Sequence, residues 1–220
     1  MTSVNITKHY DGIESPVSLL RKSSPPCGSV LGPTFYVPKS SIQTAIPNLK
    51  AALTLSLQNS YAGSKEESYP LWSETEDYFH IPRMVGISIF GGADRDTRTT
   101  GEQMNDVKFI GSLYEWQKEV VEHTIDQLRV SLYNGGILNA DCGLGKTMMG
   151  IYIAHALGVR VVICVNKEFL MTQWKERIEQ VTNGATIGKV QGDSFSIGDF
   201  TLVMIQTIIS GRYDPSQFDS

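Results

Sequence analysis

The sequence predicts an α/β protein in which a parallel sheet follows a smaller α+β region, and three observations carry this. From about residue 109 onward, segments with a helical period alternate with short apolar runs, the pattern of strands laid side by side with helices between them. A glycine-rich turn, Asp141-Cys142-Gly143-Leu144-Gly145, joins one such run to one such helix. Residues 1–108 lack this alternation and read as short strands and turns punctuated by proline and glycine.

Taken in order, Pro25-Pro26, Gly28, Gly32 and Pro33 break the chain early, so residues 1–30 are expected to be a loosely ordered segment. Residues 31–90 form an accessory domain in this reading. Within it Phe35-Tyr36-Val37-Pro38-Lys39 and Phe79-His80-Ile81-Pro82-Arg83 share one pattern, a strand running into a proline bend and then a cation. The match is five residues long, short enough to arise by chance. SSIQTAI reads as a short helix ended by Pro47, AALTLSL as a half-buried strand, and residues 59–70 as an exposed loop. The polar stretch 91–108 has no apolar period and is read as a linker.

In the region 109–220, apolar residues at 113, 116, 120, 121, 125, 128 and 130 predict an amphipathic helix. GGILNA follows as a short buried strand. Lys146 to Leu157 suits a helix that Gly158 ends. The continuous run VRVVICV predicts a strand covered on both faces. Lys167 to Val181 reads as a helix, and IGKVQG and DFTLVMIQT as further strands of a doubly wound sheet.

Composition narrows the function. A net charge of −4 carries no basic excess, so any contact with nucleic acid must come from a local patch. Cys27, Cys142 and Cys164 are odd in number and far apart, and His9, His80, His123 and His155 are isolated from one another. Neither a disulfide framework nor a zinc site is expected. No apolar run has signal-peptide or membrane-spanning character, and the protein is expected to be soluble and intracellular.

The eight-residue frame Ala140-Asp141-Cys142-Gly143-Leu144-Gly145-Lys146-Thr147 ends as a phosphate-binding loop does, with alanine in place of the usual first glycine. Glycines let backbone N–H groups turn toward phosphate oxygens, and the helix that follows offers its N-terminus to negative charge. Lys146 can reach the β- and γ-phosphates, and the Thr147 hydroxyl can hold Mg²⁺. The position between an apolar run and a helix separates this from an ordinary tight turn. The Gly-x-Gly-x-x-Gly spacing of dinucleotide sites is absent.

The ordered set LYEWQKEVVE, NADCGLGKT, VVICVNKEFLMTQWKERI, VQGDSF and VMIQTI resembles the first motor domain of superfamily 2 helicases. It is most similar to the branch typified by UvsW and XPB, and within it to the transcript-release helicases of large DNA viruses. The resemblance covers about residues 109–220. It implies a RecA-like P-loop NTPase fold, ATP and Mg as cofactors, and DNA, single-stranded or branched, as partner. It places Gln117 at the adenine edge. The arginine that the family has shortly before this glutamine is Tyr114 here, and Phe109 or Tyr114 supplies a stacking face in its stead. It places Lys167, Gln173, Gln206 and Thr207 along the nucleic-acid track, with Gln191-Gly192 a weaker member. Read without the family, Gln117 is a surface glutamine, Lys167 a solvated helix cap, and Trp174 a core residue.

No DExx motif follows Ile205-Gln206-Thr207. The expectation is an N-terminal fragment of a longer helicase that binds ATP and turns it over poorly. The alternatives are a non-catalytic module that binds DNA or a partner, and a remodelling ATPase of the Snf2 kind. By the same resemblance, the accessory domain at residues 31–90 is expected to grip duplex DNA, with Tyr36, Lys39, Tyr78, Phe79 and Arg83 as the residues to test.

Overall fold

Alternation of buried and half-buried side chains along Phe35–Pro38 and Tyr78–Ile81 makes each a strand with one face in a core. The computed structural model of the chain describes residues 25–57, 67–130 and 134–218. It divides into two compact units, one up to Thr99 and one from Thr100.

The first unit contains β1 (Val30–Leu31), β2 (Phe35–Pro38), α1 (Lys39–Ile42), α2 (Ile46–Ala52), β3 (Thr54–Leu57), β4 (Glu67–Pro70), β5 (Ser73–Glu74), β6 (Tyr78–Ile81), α3 (Arg83–Phe90) and β7 (Arg95–Asp96). Five strands form one sheet in the order β5-β6-β2-β1-β7, and β3 and β4 form a separate hairpin. Leu31, Phe35, Val37, Phe79 and Ile81 line its core face, joined by Ile87, Ile89 and Phe90 of α3. The two Pro-cation segments are partners in this sheet. They pair antiparallel with Phe35 opposite Ile81, Tyr36 opposite His80 and Val37 opposite Phe79. Each position thus meets the counterpart of its mirror position, a local two-fold relation centred on Tyr36 and His80.

Several local expectations give way to packing. Residues after Pro82 form helix α3 where β-branched composition points to strand. Pro82 opens the helix, and Gly91 at φ 76° closes it. A Cβ on Gly86 would lie 2.3 Å from Cγ of Phe35, so the missing side chain is what lets α3 sit on the sheet. Pro47 stands in the first turn of α2 instead of ending a helix, a place where its absent N–H costs nothing. Of the segment read as an exposed loop, residues 67–70 form β4, and residues 58–66 lie outside the described residues, as do 1–24.

The second unit contains β8 (Lys108–Phe109), α4 (Glu115–Val130), α5 (Lys146–Leu157), β9 (Val161–Val165), α6 (Glu168–Val181), β10 (Thr182–Asn183), β11 (Ile187–Gln191), β12 (Ser194–Phe195), β13 (Phe200–Met204), α7 (Ile205–Ile209) and a 3-10 turn at Pro215–Phe218. The main sheet has the order β12-β11-β13-β9, with β11, β13 and β9 parallel and β12 antiparallel to β11. Helices α5 and α6 share one core with Val165, Phe200 and Leu202, so both lie on the same face of the sheet. Helix α4 packs on α5 through Val120, Val121 and Met149, with Leu138 against them.

A doubly wound sheet carries helices on both faces; among the described residues α5 and α6 cover one face, and on the opposite face Thr201 and Val203 of β13 are buried. On the other face of β9, Val162 and Cys164 are exposed, and β9 has a ladder partner on one side only among the described residues. The run GGILNA, expected to be a buried strand, has no regular secondary structure, and Ile137 is 89% exposed. Apolar composition fitted both runs for burial, but the neighbours that would cover them are not among the described residues.

The segment 91–108 is divided between the units. Arg95–Asp96 extends the first sheet in parallel with β1. Val107 is buried in the core of the second unit, and Arg160 pairs with Glu102 at 2.8 Å. Asp199, wholly buried, holds the second unit together at this point. Its carboxylate accepts from the Asn105 amide at 3.0 Å and from Thr186 N and Oγ1 at 2.8 and 2.6 Å. Burial acts to raise its pKa, but the hydrogen bonds from Thr186 and Asn105 outweigh burial and hold it below the usual carboxylate range. Sequence reading passed over this residue, because nothing in DFTLVMIQT distinguishes a buried clamp from a solvated strand end.

Candidate functional site

Helix α5 begins and ends where its glycines require. Gly145 is the N-cap at φ 75° and Gly158 the C-cap at φ 70°. Gly143, at φ 82°, is the second left-handed residue in the loop, and a Cβ there would meet nothing within 4 Å. Backbone conformation, not space, therefore demands glycine at this position. The N-terminus of α5 has no side-chain cap, so the amides of its first turn are available to an anion.

Lys146 bends back over the loop. Its Nζ donates to the carbonyls of Ala140 and Asp141 at 2.7 and 2.9 Å. The Thr147 hydroxyl is half-buried and has no hydrogen-bond partner among the described residues. Ala140, Asp141, Cys142, Gly143 and Leu144 form the turn that precedes the helix, with Leu144 N directed at Asp141 O at 3.5 Å. The residues present fit a triphosphate with its metal: two left-handed glycines, an uncapped helix end, an ammonium and a free hydroxyl in one turn. Among the described residues no group of three or more His, Cys, Asp or Glu is placed to hold a metal by side chains alone.

Gln117 lies 4% exposed, not on the surface as its helix position alone suggests. Its Nε2 donates to Leu144 O at 3.0 Å, and its Oε1 accepts from Tyr114 N at 3.0 Å. A Cβ on Gly145 would come within 2.6 Å of that Nε2. The amide thus ties the start of α4 to the glycine loop. Of the two rings expected to stack, Phe109 is engaged, edge-on to Tyr152 at 5.1 Å and stacked near His155 at 6.2 Å. Tyr114 is 72% exposed and leaves its ring open beside Gln117.

The residues expected on a nucleic-acid track follow the carboxyl ends of the parallel strands, the edge at which open α/β sheets place their ligands. Lys167, exposed, follows β9 as the N-cap of α6. Gln206 is exposed in α7 after β13, and its Nε2 donates to Asn166 O at 3.0 Å. Gln191 ends β11 and Gly192 follows it in a turn. Thr207 is 7% exposed, and its hydroxyl accepts from Gly192 N at 3.2 Å. That hydroxyl joins two loops of the edge instead of facing outward. Gln173 is exposed further along α6, while Trp174 packs into the core against Gly150. Among the described residues no helix is long and apolar enough to cross a membrane.

Comparison with known proteins identifies the family. A mimivirus protein named "Putative ATP-dependent RNA helicase L396" (Acanthamoeba polyphaga mimivirus) is 31% identical over 164 residues, covering 73% of this chain and 31% of that protein. "Transcript termination protein A18" of vaccinia virus (strain Ankara) is 33% identical over 73 residues, covering 31% of this chain and 15% of that protein. The monkeypox protein "Transcript termination protein OPG145" is 33% identical over 75 residues, with the same coverage. The chain therefore spans under a third of the length of these relatives. Residues 110–219 match the family model described as "Type III restriction enzyme, res subunit". With the glycine loop inside the matched region and a mimivirus relative named as an RNA helicase, the chain belongs to this family of superfamily 2 helicases.

Proposed function

We propose that the second unit is the ATP-binding part of the first, RecA-like motor domain of a longer helicase or translocase of the UvsW/XPB-like branch, acting on DNA. The first unit is its accessory domain. The observation that carries this is the uncapped N-terminus of α5 behind two left-handed glycines, with Lys146 and Thr147 in its first turn. The open edge of β9 and the exposed Ile137 support the reading that further strands complete this sheet in the whole protein.

Bound ATP with Mg supplies a cleavable phosphoryl group and a dense charge for the motor to grip. Lys146, which donates to the Ala140 and Asp141 carbonyls here, would hold phosphate oxygens, the Thr147 hydroxyl would hold the metal, and the loop amides would face the remaining charge. Gln117 reports the state of the loop to α4 through Leu144, and Tyr114 offers a ring to the base. Lys167, Gln173 and Gln206 meet the backbone of the strand, with Thr207 positioning the edge. Within residues 100–220 the sequence supplies no DExx carboxylates, so these residues bind ATP and hydrolyse it poorly.

Titration with a fluorescent ATP analogue tests the proposal. Lys146→Ala should weaken binding at least about tenfold, the loss of one charge-assisted contact. Equal binding by the variant would overturn it, and DNA-stimulated hydrolysis by the chain well above that of the variant would overturn the expectation of poor turnover. A second reading, RNA as the substrate, draws on the printed name of the mimivirus relative. Matched DNA and RNA oligonucleotides in the same assay separate the two.

A further inference from the structure

The face of the first sheet opposite its core is aromatic. Tyr36 and His80 stand directly opposite each other on β2 and β6, with ring centroids 4.6 Å apart. Tyr78, two residues along, meets Tyr36 edge-on at 6.5 Å. All three are half-buried, while the intervening Val37 and Phe79 point into the core. Phe79, stacked on Trp72 at 5.6 Å and wholly buried, is thus removed from the residues that could touch a ligand.

The register extends this patch into a row across the sheet: Ser73, His80, Tyr36, Val30, Arg95. Arg95 is exposed and has no ion-pair partner among the described residues. It lies two strand spacings, about 10 Å, from Tyr36. The nearby carboxylates are largely spoken for. Glu74 pairs with Lys39 and Lys50, Asp96 with Arg98, and Asp94 accepts from Gly28 N. Glu76 and Asp77 stay at the Tyr78 end, beside Lys39. The patch is therefore acidic at one end and cationic at the other. Burial, and then the Lys39 charge, hold the His80 pKa below its ordinary value, which leaves a neutral ring at neutral pH.

We propose that this face is a stacking platform for unpaired bases of single-stranded nucleic acid, with Arg95 taking a backbone phosphate. The proposal rests on the helicase reading for the class of ligand. Half-buried rings clustered on two adjacent strands, with Tyr36 and His80 in register, suit bases free of a partner, which offer their flat faces as duplex bases cannot. Arg95, at the end of this row opposite Glu76 and Asp77, gives the strand its direction.

Fluorescence anisotropy on the whole chain, without nucleotide, tests this with a labelled oligothymidylate and a hairpin duplex as probes. The unpaired strand should bind more tightly than the duplex. Tyr36→Ala and Tyr78→Ala should each weaken it roughly 5- to 150-fold, the range of single stacking losses. Tyr36→Phe should bind like the parent, because the ring and not the hydroxyl stacks. Arg95→Glu should lower the logarithmic salt slope by about one. Unchanged binding in Tyr78→Ala and Arg95→Glu, duplex preferred over single strand, or the patch taking a proline-rich peptide in place of the oligonucleotide would each overturn the proposal. ATP-analogue binding should be unaffected in all four variants. Its absence from the parent chain would instead count against the helicase reading, and the oligonucleotide result would stand apart.

Discussion

Replacing Asp199 with alanine tests how the second unit is held together. The carboxylate accepts two backbone amides, at 3.0 Å from Asn105 and 2.8 Å from Thr186, and the Thr186 hydroxyl at 2.6 Å. Hydrogen bonds to a charged group contribute about 1.5–3 kcal/mol each. Asn105 and Thr186 are themselves exposed, so water recovers part of the loss, and the sum falls to about 2–4 kcal/mol. Set against a typical stability of about 5–15 kcal/mol, that is a large fraction. The effect also has a pH signature. The folded-state pKa of Asp199 lies below its unfolded value, so its contribution is present above about pH 4 and is lost as pH falls through the folded pKa. Urea unfolding of the whole chain, followed by circular dichroism at neutral pH and at a series of acid pH values, measures both. Asp199→Asn keeps an acceptor and should lose less stability at neutral pH, and its stability should fall less steeply on acidification. A loss below about 1 kcal/mol in Asp199→Ala, or an acid limb in Asp199→Asn as steep as in the parent, would refute the reasoning.

Gln117→Glu keeps an acceptor for Tyr114 N but sets a carboxylate against Leu144 O, so it should destabilise the glycine loop by about 1–3 kcal/mol and weaken ATP-analogue binding. Equal melting and equal affinity would show that the amide bridge is incidental. Gly188→Ala should destabilise the second unit by about 2 kcal/mol or more, because its Cβ would lie 2.4 Å from the Ser196 carbonyl oxygen, on backbone that cannot swing aside; a denaturant midpoint like that of the parent would contradict this. Gly143→Ala meets no atom yet adopts a left-handed backbone, so it should cost only about 1–2 kcal/mol while impairing nucleotide binding; titration and melting together separate the two effects.

The sequence by itself determined what depends on neighbours close along the chain. The span of α5 is legible because Gly145 and Gly158 bound it and both need positive φ. The succession α4, α5, β9, α6, β11 and β13, with the glycine loop opening α5, follows from periodicity and turn chemistry, whereas residues 205–207, which read as the end of a strand, open α7. Tertiary structure decided what depends on residues far apart in sequence. It buried Gln117 against Leu144, made Asp199 a clamp, and closed the Thr207 hydroxyl on Gly192. It seated the helix after Pro82 on the sheet at the point where Gly86 meets Phe35, and it paired the two Pro-cation segments across one axis. Burial and hydrogen-bond satisfaction are properties of the assembled chain, and a side chain's role is fixed only when the groups that cover or pair with it arrive.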